Sequence, residues 1–241
     1  MSSYKVALVG NPNVGKSTIF NSLTGMKQHT GNWTGKTVGN CEGHYKFNND
    51  NFTIVDIPGT YSLMSNSEEE EIARNFICFE KLDAIVIVVD ATSLERNLNL
   101  VFQIMEITSN IIVCVNLLDE AKKKGIAIDL KKLAILLGVP VVGTIGKKKK
   151  TLVNLKNEIT NACSGKISPI PKIIKYIPII EDSIALLSSE IDIPFPLSRW
   201  ISLKLICNNE RLLSPISNNF QVNLNTCLLY TSPSPRDSTS S

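Results

Sequence analysis

The chain has 241 residues, of which 43% are hydrophobic and 20% are charged. This is the composition of an ordinary globular protein, so it excludes a fibrous repeat and excludes disorder over most of the length. The 25 basic residues nearly balance the 22 acidic ones, and the net charge of +3 gives no general argument for nucleic-acid binding. The length suits one domain with an appendage, or two small domains.

Residues 1–164 alternate strand-like and helix-like segments. Six strands are predicted, over residues 5–9, 42–47, 52–56, 84–90, 111–116 and 139–144. Helices are predicted over residues 16–24, 72–77, 94–106, 129–137 and 152–162, with a capping box at Ser67 and Glu70. Four polar residues at 48–51 predict a hairpin turn. The pattern predicts an α/β fold, with a mostly parallel six-stranded sheet, helices on both faces and one antiparallel hairpin.

The regular alternation of strand-like and helix-like segments ends near residue 164. Prolines at 169, 171 and 178 indicate a linker over residues 165–178, and residues 179–226 predict a small helical regulatory subdomain interrupted at Pro194 and Pro196. Residues 227–241 are rich in Ser and Pro, which is typical of a disordered terminus. The string CLLYTSPSPRD also resembles a translated sequencing adaptor, so we interpret this tail as non-native and the subdomain as truncated near Thr226.

Three simpler features of the sequence bear on membrane insertion, secretion and the redox state of the cysteines. No apolar run approaches the roughly 20 residues needed to cross a bilayer, so we expect no membrane span in these residues. No charged-then-apolar leader precedes residue 5, so we expect no signal peptide. The six cysteines form no CxxC pair and are interpreted as reduced, packed thiols of a cytosolic protein.

The strongest motif is G-x-x-x-x-G-K-[ST], which stands between the first predicted strand and the first predicted helix. Its residues are Gly10, Asn11, Pro12, Asn13, Val14, Gly15, Lys16, Ser17 and Thr18. Glycines allow backbone N–H groups to wrap around phosphate oxygens, and the helix N-terminus adds partial positive charge. We expect Lys16 to contact the β- and γ-phosphates and the Ser17 hydroxyl to bind Mg²⁺.

A second motif, DxxG, follows the third predicted strand. Asp56 is expected to hold Mg²⁺, usually through water, and Gly59 to offer its N–H to a γ-phosphate. Alone this tetrapeptide usually marks an ordinary turn, but its position after the phosphate-binding motif favours the functional interpretation. A threonine that binds Mg²⁺ is expected between the two motifs, where Thr30, Thr34 and Thr37 all lie.

The third motif, NxxD, selects the base. Asp119 can accept two parallel hydrogen bonds from guanine N1–H and N2–H₂. Adenine would leave this carboxylate desolvated and unpaired, at a cost on the order of 10⁴-fold in affinity. Asn116 is expected to brace the phosphate-binding loop.

Together the phrases GNPNVGKST, GNW-x-G-x-TV, DIPGTYSL and NLLDEA resemble the cytosolic G domain of ferrous iron transport protein B, over about residues 4–212. Residues 198–205 are similar to the helical region that follows that domain and restrains GDP release. The resemblance implies a P-loop GTPase fold, with Thr37 as the switch threonine, Gly35 in the same loop at the nucleotide, and Asn13 as a K⁺ ligand. It also implies that Thr144 and Ile145 lie beside the base, with Ile145 bulkier than is usual at this place in the family.

The resemblance also implies partners and a place in the cell. It implies GTP or GDP with Mg²⁺ and K⁺, a downstream transmembrane domain of the same protein, small accessory iron-transport proteins, and the cytoplasmic face of the cell membrane for the full-length protein. The fragment alone is expected to be soluble, and no nucleic-acid partner is expected. Thr60 stands where Ras-like enzymes carry a water-orienting glutamine, so intrinsic hydrolysis is expected to be slow unless K⁺ assists.

Three functions are weighed. The first is a GTP-hydrolysing domain of a ferrous iron transporter, with Lys16, Thr37, Gly59 and Asn13 as the catalytic residues. The second is a ribosome-assembly GTPase, which needs a basic RNA-binding domain, whereas residues 165–226 hold few arginines and no GxxG loop. The third is a non-catalytic GTP sensor, which the absent glutamine favours.

Overall fold

The structure is a computed structural model that describes residues 1–25, 28–32, 39–64, 67–146, 148–207, 215–216 and 220; for 28–32, 39–40 and 149 only the backbone is described. The chain forms two compact units, residues 1–173 and 174–241. Their division point falls inside the segment 165–178 that the sequence predicts as a linker.

The first unit is built on one mixed sheet of seven strands. The strands are β1 (Ser3–Gly10), β2 (Gln28–Asn32), β3 (Gly39–Phe47), β4 (Asp50–Asp56), β5 (Ala84–Asp90), β6 (Ile111–Asn116) and β7 (Val141–Gly143). Their order is β2-β3-β4-β1-β5-β6-β7. The β1–β4, β1–β5, β5–β6 and β6–β7 pairs are parallel, and the β2–β3 and β3–β4 pairs are antiparallel. The mostly parallel α/β sheet is confirmed.

One strand more is present than the six that the sequence predicts. The addition is β2, whose sequence QHTGN has no alternation of apolar and polar residues. It pairs antiparallel with β3 at the edge of the sheet. Backbone hydrogen bonds to a neighbouring strand hold this segment, and such bonds leave no mark in the side-chain pattern.

The helices of the first unit follow the strands in alternation. They are α1 (Lys16–Thr24), α2 (Glu68–Phe79), α3 (Leu94–Met105), α4 (Leu118–Lys123), α5 (Leu130–Leu137) and α6 (Lys149–Cys163). The predicted capping box is confirmed, since the Ser67 hydroxyl accepts a hydrogen bond from the Glu70 N–H. The short α4 was not predicted, because it begins after a left-handed residue, Leu117 (φ 63°), and has only six residues.

The core lies on both faces of the sheet. On one face Val6, Leu8 and Val86 pack in a cluster with side chains of α1 and α6. The alternate residues Ile85 and Ile87 point to the opposite face, where they are also almost fully buried. Parallel strands covered on both faces require helices on both sides, so the sheet holds the ends of its strands in fixed positions.

The second unit contains α7 (Pro178–Glu190) and α8 (Leu197–Ile206), which pack against each other. The helical structure is interrupted between them, in the segment where Pro194 and Pro196 predict an interruption. The Arg199 guanidinium donates to both carboxylate oxygens of Glu181, each at 2.7 Å. Among the residues that the structure describes, no helix has the length and apolar character needed to cross a bilayer.

Candidate functional site

The loop between β1 and α1 crosses the edge of the sheet where the parallel strands end. Two glycines allow its close packing. A Cβ atom on Gly10 would lie 2.5 Å from the Val88 carbonyl oxygen, and one on Gly15 would lie 2.5 Å from Asn116 Nδ2. Gly15 also has φ 80°, a conformation that costs glycine little. The loop therefore follows a path that other residues at these two positions would obstruct.

The loop encloses a cleft of about 460 Å³. Its lining residues are Asn11, Pro12, Asn13, Gly15, Lys16, Ser17, Thr18 and Gly59. The first turn of α1 carries no acidic side chain, so nothing there offsets the partial positive charge of the helix N-terminus. Free backbone N–H groups at a helix start, next to a lysine, form an anion-binding site of the kind that holds phosphate.

Lys16, which lines the cleft, forms an ion pair with Asp56. The Lys16 ammonium donates to Asp56 Oδ1, and both side chains are largely buried, at 11% and 17% exposure. Burial raises the pKa of the Asp56 carboxyl, and the neighbouring ammonium offsets part of that rise. The carboxylate of Asp56 and the hydroxyl of Ser17 are oxygen donors of the type that Mg²⁺ prefers, so the residues present fit that ion.

The DxxG segment lies against the phosphate-binding loop. The Thr60 N–H donates to the Gly10 carbonyl oxygen at 3.2 Å, and a Cβ atom on Gly59 would lie 3.3 Å from Pro12 Cα. Thr60 is 2% exposed, and its hydroxyl donates to the Ser62 carbonyl oxygen at 2.7 Å. That hydroxyl is therefore engaged within its own turn.

Asn116 connects three segments through one buried amide. Its Nδ2 donates to the Val14 carbonyl oxygen at 3.0 Å, which confirms the predicted brace. Its Oδ1 accepts from the Thr144 hydroxyl at 3.0 Å and from the Gly146 N–H at 3.1 Å. The phosphate-binding loop and the loop after β7 are thus held by a single side chain that is fully buried.

Asp119 lies three residues after the end of β6, in the first turn of α4, and is half-buried. Leu117 in its left-handed conformation turns the chain between Asn116 and this helix. The backbone N–H of the half-buried Ile145 donates to the Thr151 hydroxyl at 3.3 Å. The Thr144 side chain is buried and bonded to Asn116, so contact of Thr144 and Ile145 with a base stays a prediction.

Some predicted residues lie outside the described part of the chain, and some contacts were missed. Gly35 and Thr37 are among the residues that the structure does not describe. Sequence patterns did not predict the hydrogen bond from the Gly146 N–H to Asn116. They also did not predict the contact of Cys114, whose Sγ lies 3.2 Å from the Thr144 hydroxyl. Burial raises the pKa of that thiol to about 12. Both contacts join residues distant in the chain, which local patterns do not report.

The chain is similar to known proteins over most of its length. The profile of the family "Ferrous iron transport protein B" matches residues 4–159. The Fe(2+) transporter FeoB of Methanocaldococcus jannaschii is 43% identical over 222 residues, which are 92% of this chain and 33% of that protein. The Fe(2+) transporter FeoB of Escherichia coli K12 is 37% identical over 213 residues, 86% of this chain and 27% of that protein. The chain thus spans about a third or less of these curated relatives.

Solved structures show the same architecture. The cytosolic domain of the T. maritima FeoB iron transporter in its apo form superposes with a TM-score of 0.80 at 34% identity, covering 89% of this chain and 86% of that one. A mutant of S. thermophilus NFeoB bound to GDP superposes with a TM-score of 0.82 at 30% identity, covering 95% and 87%.

Proposed function

The chain belongs to the family of ferrous iron transport protein B, and on that basis we propose that it is the GTP-binding and GTP-hydrolysing domain of a ferrous iron transporter. The observation that carries the proposal is the position of Asn116, which lies three residues before Asp119 and donates to the Val14 carbonyl oxygen, so that the NxxD segment is bonded directly to the phosphate cradle. Similar proteins are named Fe(2+) transporters, and one similar structure is of a protein bound to GDP.

In this proposal each part of the cleft has a task. The backbone of residues 10–18 holds the phosphates, and Lys16 leaves Asp56 to neutralise the β- and γ-phosphate charge. Ser17 and Asp56 would hold Mg²⁺, which supplies further charge neutralisation when bound. Asp119 accepts hydrogen bonds from guanine, and Asn116 keeps the two loops in register.

The proposed reaction is attack of water on the γ-phosphorus. The water oxygen forms a bond to phosphorus, the bond from phosphorus to the β-γ bridging oxygen breaks, and the products are GDP and inorganic phosphate. Lys16 stabilises the charge that develops on the bridging oxygen, and Gly59 and Thr37 contact the γ-phosphate. Because Thr60 is short and bonded to Ser62, it cannot orient the water as a glutamine does, so hydrolysis is slow.

The nucleotide assignment is tested by titrating the chain with fluorescent GTP and ATP in the presence of Mg²⁺. We expect GTP to bind at least ~10³-fold more tightly than ATP, because adenine leaves Asp119 unpaired. Lys16→Ala should abolish tight binding of the triphosphate. Asp119→Asn should weaken GTP binding and strengthen binding of xanthosine triphosphate, whose 2-oxo group accepts from the new amide. Equal binding of ATP and GTP would refute the assignment.

Asn13 is proposed as the ligand of a stimulating K⁺ ion. It is exposed at the lip of the cleft and adopts the left-handed conformation with φ 67°, and its side-chain carbonyl oxygen is a donor suited to such a cation. We expect faster GTP hydrolysis in KCl than in NaCl, with the difference lost in Asn13→Ala while GTP binding remains. The same rate in both salts for the unaltered chain would remove K⁺ from the proposal.

The engagement of Thr60 also favours a second candidate, a GTP sensor that binds without hydrolysis. Single-turnover phosphate release separates the two functions. Release above the rate of free GTP, and abolished in Lys16→Ala, supports an enzyme, whereas no release with intact GTP binding supports a sensor.

The transporter part of the proposal concerns a downstream membrane domain of the same protein and small accessory iron-transport proteins. The similarity to the two Fe(2+) transporters, of which this chain covers 33% and 27%, supports it. In the full-length protein this domain would lie at the cytoplasmic face of the membrane. Sequencing the gene past the codon for Thr226 tests the proposal, since several apolar runs of about 20 residues are expected there.

A further inference from the structure

The outer face of α5 is unusual for a helix on a protein surface. Ile135 is 69% exposed and Leu136 is 57% exposed, although both are large apolar residues. Of the eight residues of α5, only Leu137 is buried. These two exposed side chains therefore do not belong to the core of the first unit. Adjacent exposed apolar side chains of this size are typical of an interaction surface.

Two further residues extend this face beyond the C-terminus of α5. The Ile170 N–H donates to the Gly138 carbonyl oxygen at 3.1 Å, and the Lys172 N–H donates to the Leu137 carbonyl oxygen at 2.9 Å. The segment that contains them runs along the end of the helix. Ile170 is 81% exposed, so it adds a third large apolar side chain to the same region.

Basic residues border these apolar side chains. Lys131 and Lys132 precede Ile135 and Leu136 by four residues each, which places each lysine next to one apolar residue on the helix surface. Both lysines and Lys172 are exposed, and none has an ion pair within the described part of the chain. We call the six residues the α5 patch: Lys131, Lys132, Ile135, Leu136, Ile170 and Lys172.

The charge of the α5 patch decides between two kinds of partner. The patch contains three lysines and no carboxylate, and the neighbouring Asp129 caps the helix by accepting the Lys132 N–H. A symmetric contact between two copies would bring the lysines of both patches together with no carboxylate of the patch to pair them, which is unfavourable. Apolar side chains flanked by lysines instead match the interface of an anionic bilayer, where lysines reach headgroups while apolar side chains enter the acyl boundary.

We propose that the α5 patch is a docking surface for anionic lipid and that it holds the first unit against the membrane. The inference deepens the proposed transporter function and rests on it, because a downstream membrane domain would keep the patch close to lipid. Under such tethering a weak intrinsic affinity suffices, since docking becomes an intramolecular event with a high effective concentration.

The test is flotation of the 241-residue chain with vesicles of phosphatidylcholine containing roughly one third phosphatidylglycerol, compared with phosphatidylcholine alone. We expect binding to the anionic vesicles that weakens at high salt. Lys131→Glu/Lys132→Glu should weaken it by about 25-fold or more, from a contribution of about 5-fold for each lysine. Ile135→Ser/Leu136→Ser should weaken binding to the same vesicles by about 10-fold.

Matched controls change the same chemistry elsewhere. Lys46→Glu/Lys81→Glu alters the charge equally on β3 and before β5, and Ile174→Ser/Ile179→Ser removes two exposed isoleucines of the second unit. Both should retain vesicle binding. Circular dichroism and GTP binding verify folding, and Lys131→Gln/Lys132→Gln replaces the charge reversal if that variant does not fold.

Three results would overturn the docking surface. The first is no binding of the unaltered chain to anionic vesicles while it still binds GTP, a result that leaves the nucleotide function intact. The second is an equal loss in the control variants. The third is self-association in sedimentation velocity that Ile135→Ser/Leu136→Ser abolishes without any change in vesicle binding, which would assign the patch to a second copy of the chain.

Discussion

Asn116 is the residue on which the candidate site depends most. Its amide makes three hydrogen bonds, to Val14, Thr144 and Gly146, in a place with no access to water. An unpaired buried polar group costs about 1–3 kcal/mol, so removal of this amide affects several groups at once. The phosphate-binding loop then loses its fixed distance from the loop after β7.

We predict that Asn116→Ala lowers the free energy of unfolding by about 3 kcal/mol, because the partners of the amide are left unpaired. GDP affinity should fall by about 100-fold or more, since the cradle is no longer pre-organised. Urea denaturation and titration with fluorescent GDP measure both quantities. Thr144→Val is the matched control: it removes the hydroxyl that bonds Asn116 and Cys114, keeps the other two bonds of the Asn116 amide, and should cost about 1 kcal/mol. Equal effects of the two variants would contradict the central role of Asn116.

At the scale of elements, α3 anchors the segment that follows the DxxG motif. The Leu63 N–H donates to Gln103 Oε1 at 2.7 Å, and the Arg96 guanidinium lies 4.3 Å from the centre of the Tyr61 ring. Gln103 and Arg96 both belong to α3. The position of Gly59 is therefore tied to a helix that packs against the central strand β5.

We predict that Gln103→Ala speeds hydrogen exchange at the Leu63 amide by about 10-fold or more, because the N–H loses its acceptor. Exchange in β5 should stay unchanged, and amide-resolved hydrogen exchange measures both. Gln103→Glu keeps an acceptor oxygen at the same place and serves as the control. Unchanged exchange at Leu63 in Gln103→Ala would show that α3 does not anchor this segment.

In the second unit, the ion pair between α7 and α8 predicts a pH dependence. Hydrogen bonds from Arg199 and from the Tyr176 N–H lower the pKa of Glu181 from 4.5 to about 2. A carboxyl whose pKa is lower in the folded state stabilises the fold at pH values above its unfolded pKa, and this stabilisation is lost as the pH falls through the folded pKa. The pair therefore stabilises the unit at neutral pH.

We predict that Glu181→Gln lowers the melting temperature of the chain at pH 7, and that the difference shrinks as the pH falls from about 4.5 towards about 2. Thermal melts followed by circular dichroism over this range measure the effect. Asp182→Asn changes the neighbouring exposed carboxylate and should leave the melting temperature almost unchanged. A constant difference at every pH would contradict the assignment.

The same elements show how far local pattern predicts structure. The long apolar strands β5 and β6 and the loop from Gly10 to Lys16 follow from periodicity and motif alone. The strand β2 does not, because pairing with β3 rather than its side chains holds it. The bond from Asn116 to Val14 spans 102 positions. An NxxD motif suggests a brace at that place, but the additional Thr144 and Gly146 partners arise only from the packing of β6 beside β7.

For the whole molecule, the division near residue 173 allows the two units to be studied separately. Because residues 198–205 resemble the helical region that restrains GDP release in this family, we predict a regulatory role for the second unit.

We predict that residues 1–173 alone fold and bind GDP, because the sheet, both of its covering layers and the cleft lie within them. The dissociation rate constant of GDP should be several-fold higher for this fragment than for the 241-residue chain, which is the usual size of an allosteric coupling effect. Stopped-flow displacement of fluorescent GDP measures the rate. The same fragment carrying Asn116→Ala shows the upper limit of the rate, and equal rates for fragment and whole chain would argue against regulation by the second unit.

The pairing of Lys16 with Asp56 has a consequence for discrimination among anions in the cell. An anion that enters the cleft without a cation must draw the Lys16 ammonium away from Asp56, which leaves the Asp56 carboxylate without a counter-charge. A polyphosphate that arrives together with its own divalent cation gives new partners to both groups at the same moment. Under the proposed function we therefore expect the cleft to favour a nucleotide that arrives with its divalent cation over free orthophosphate.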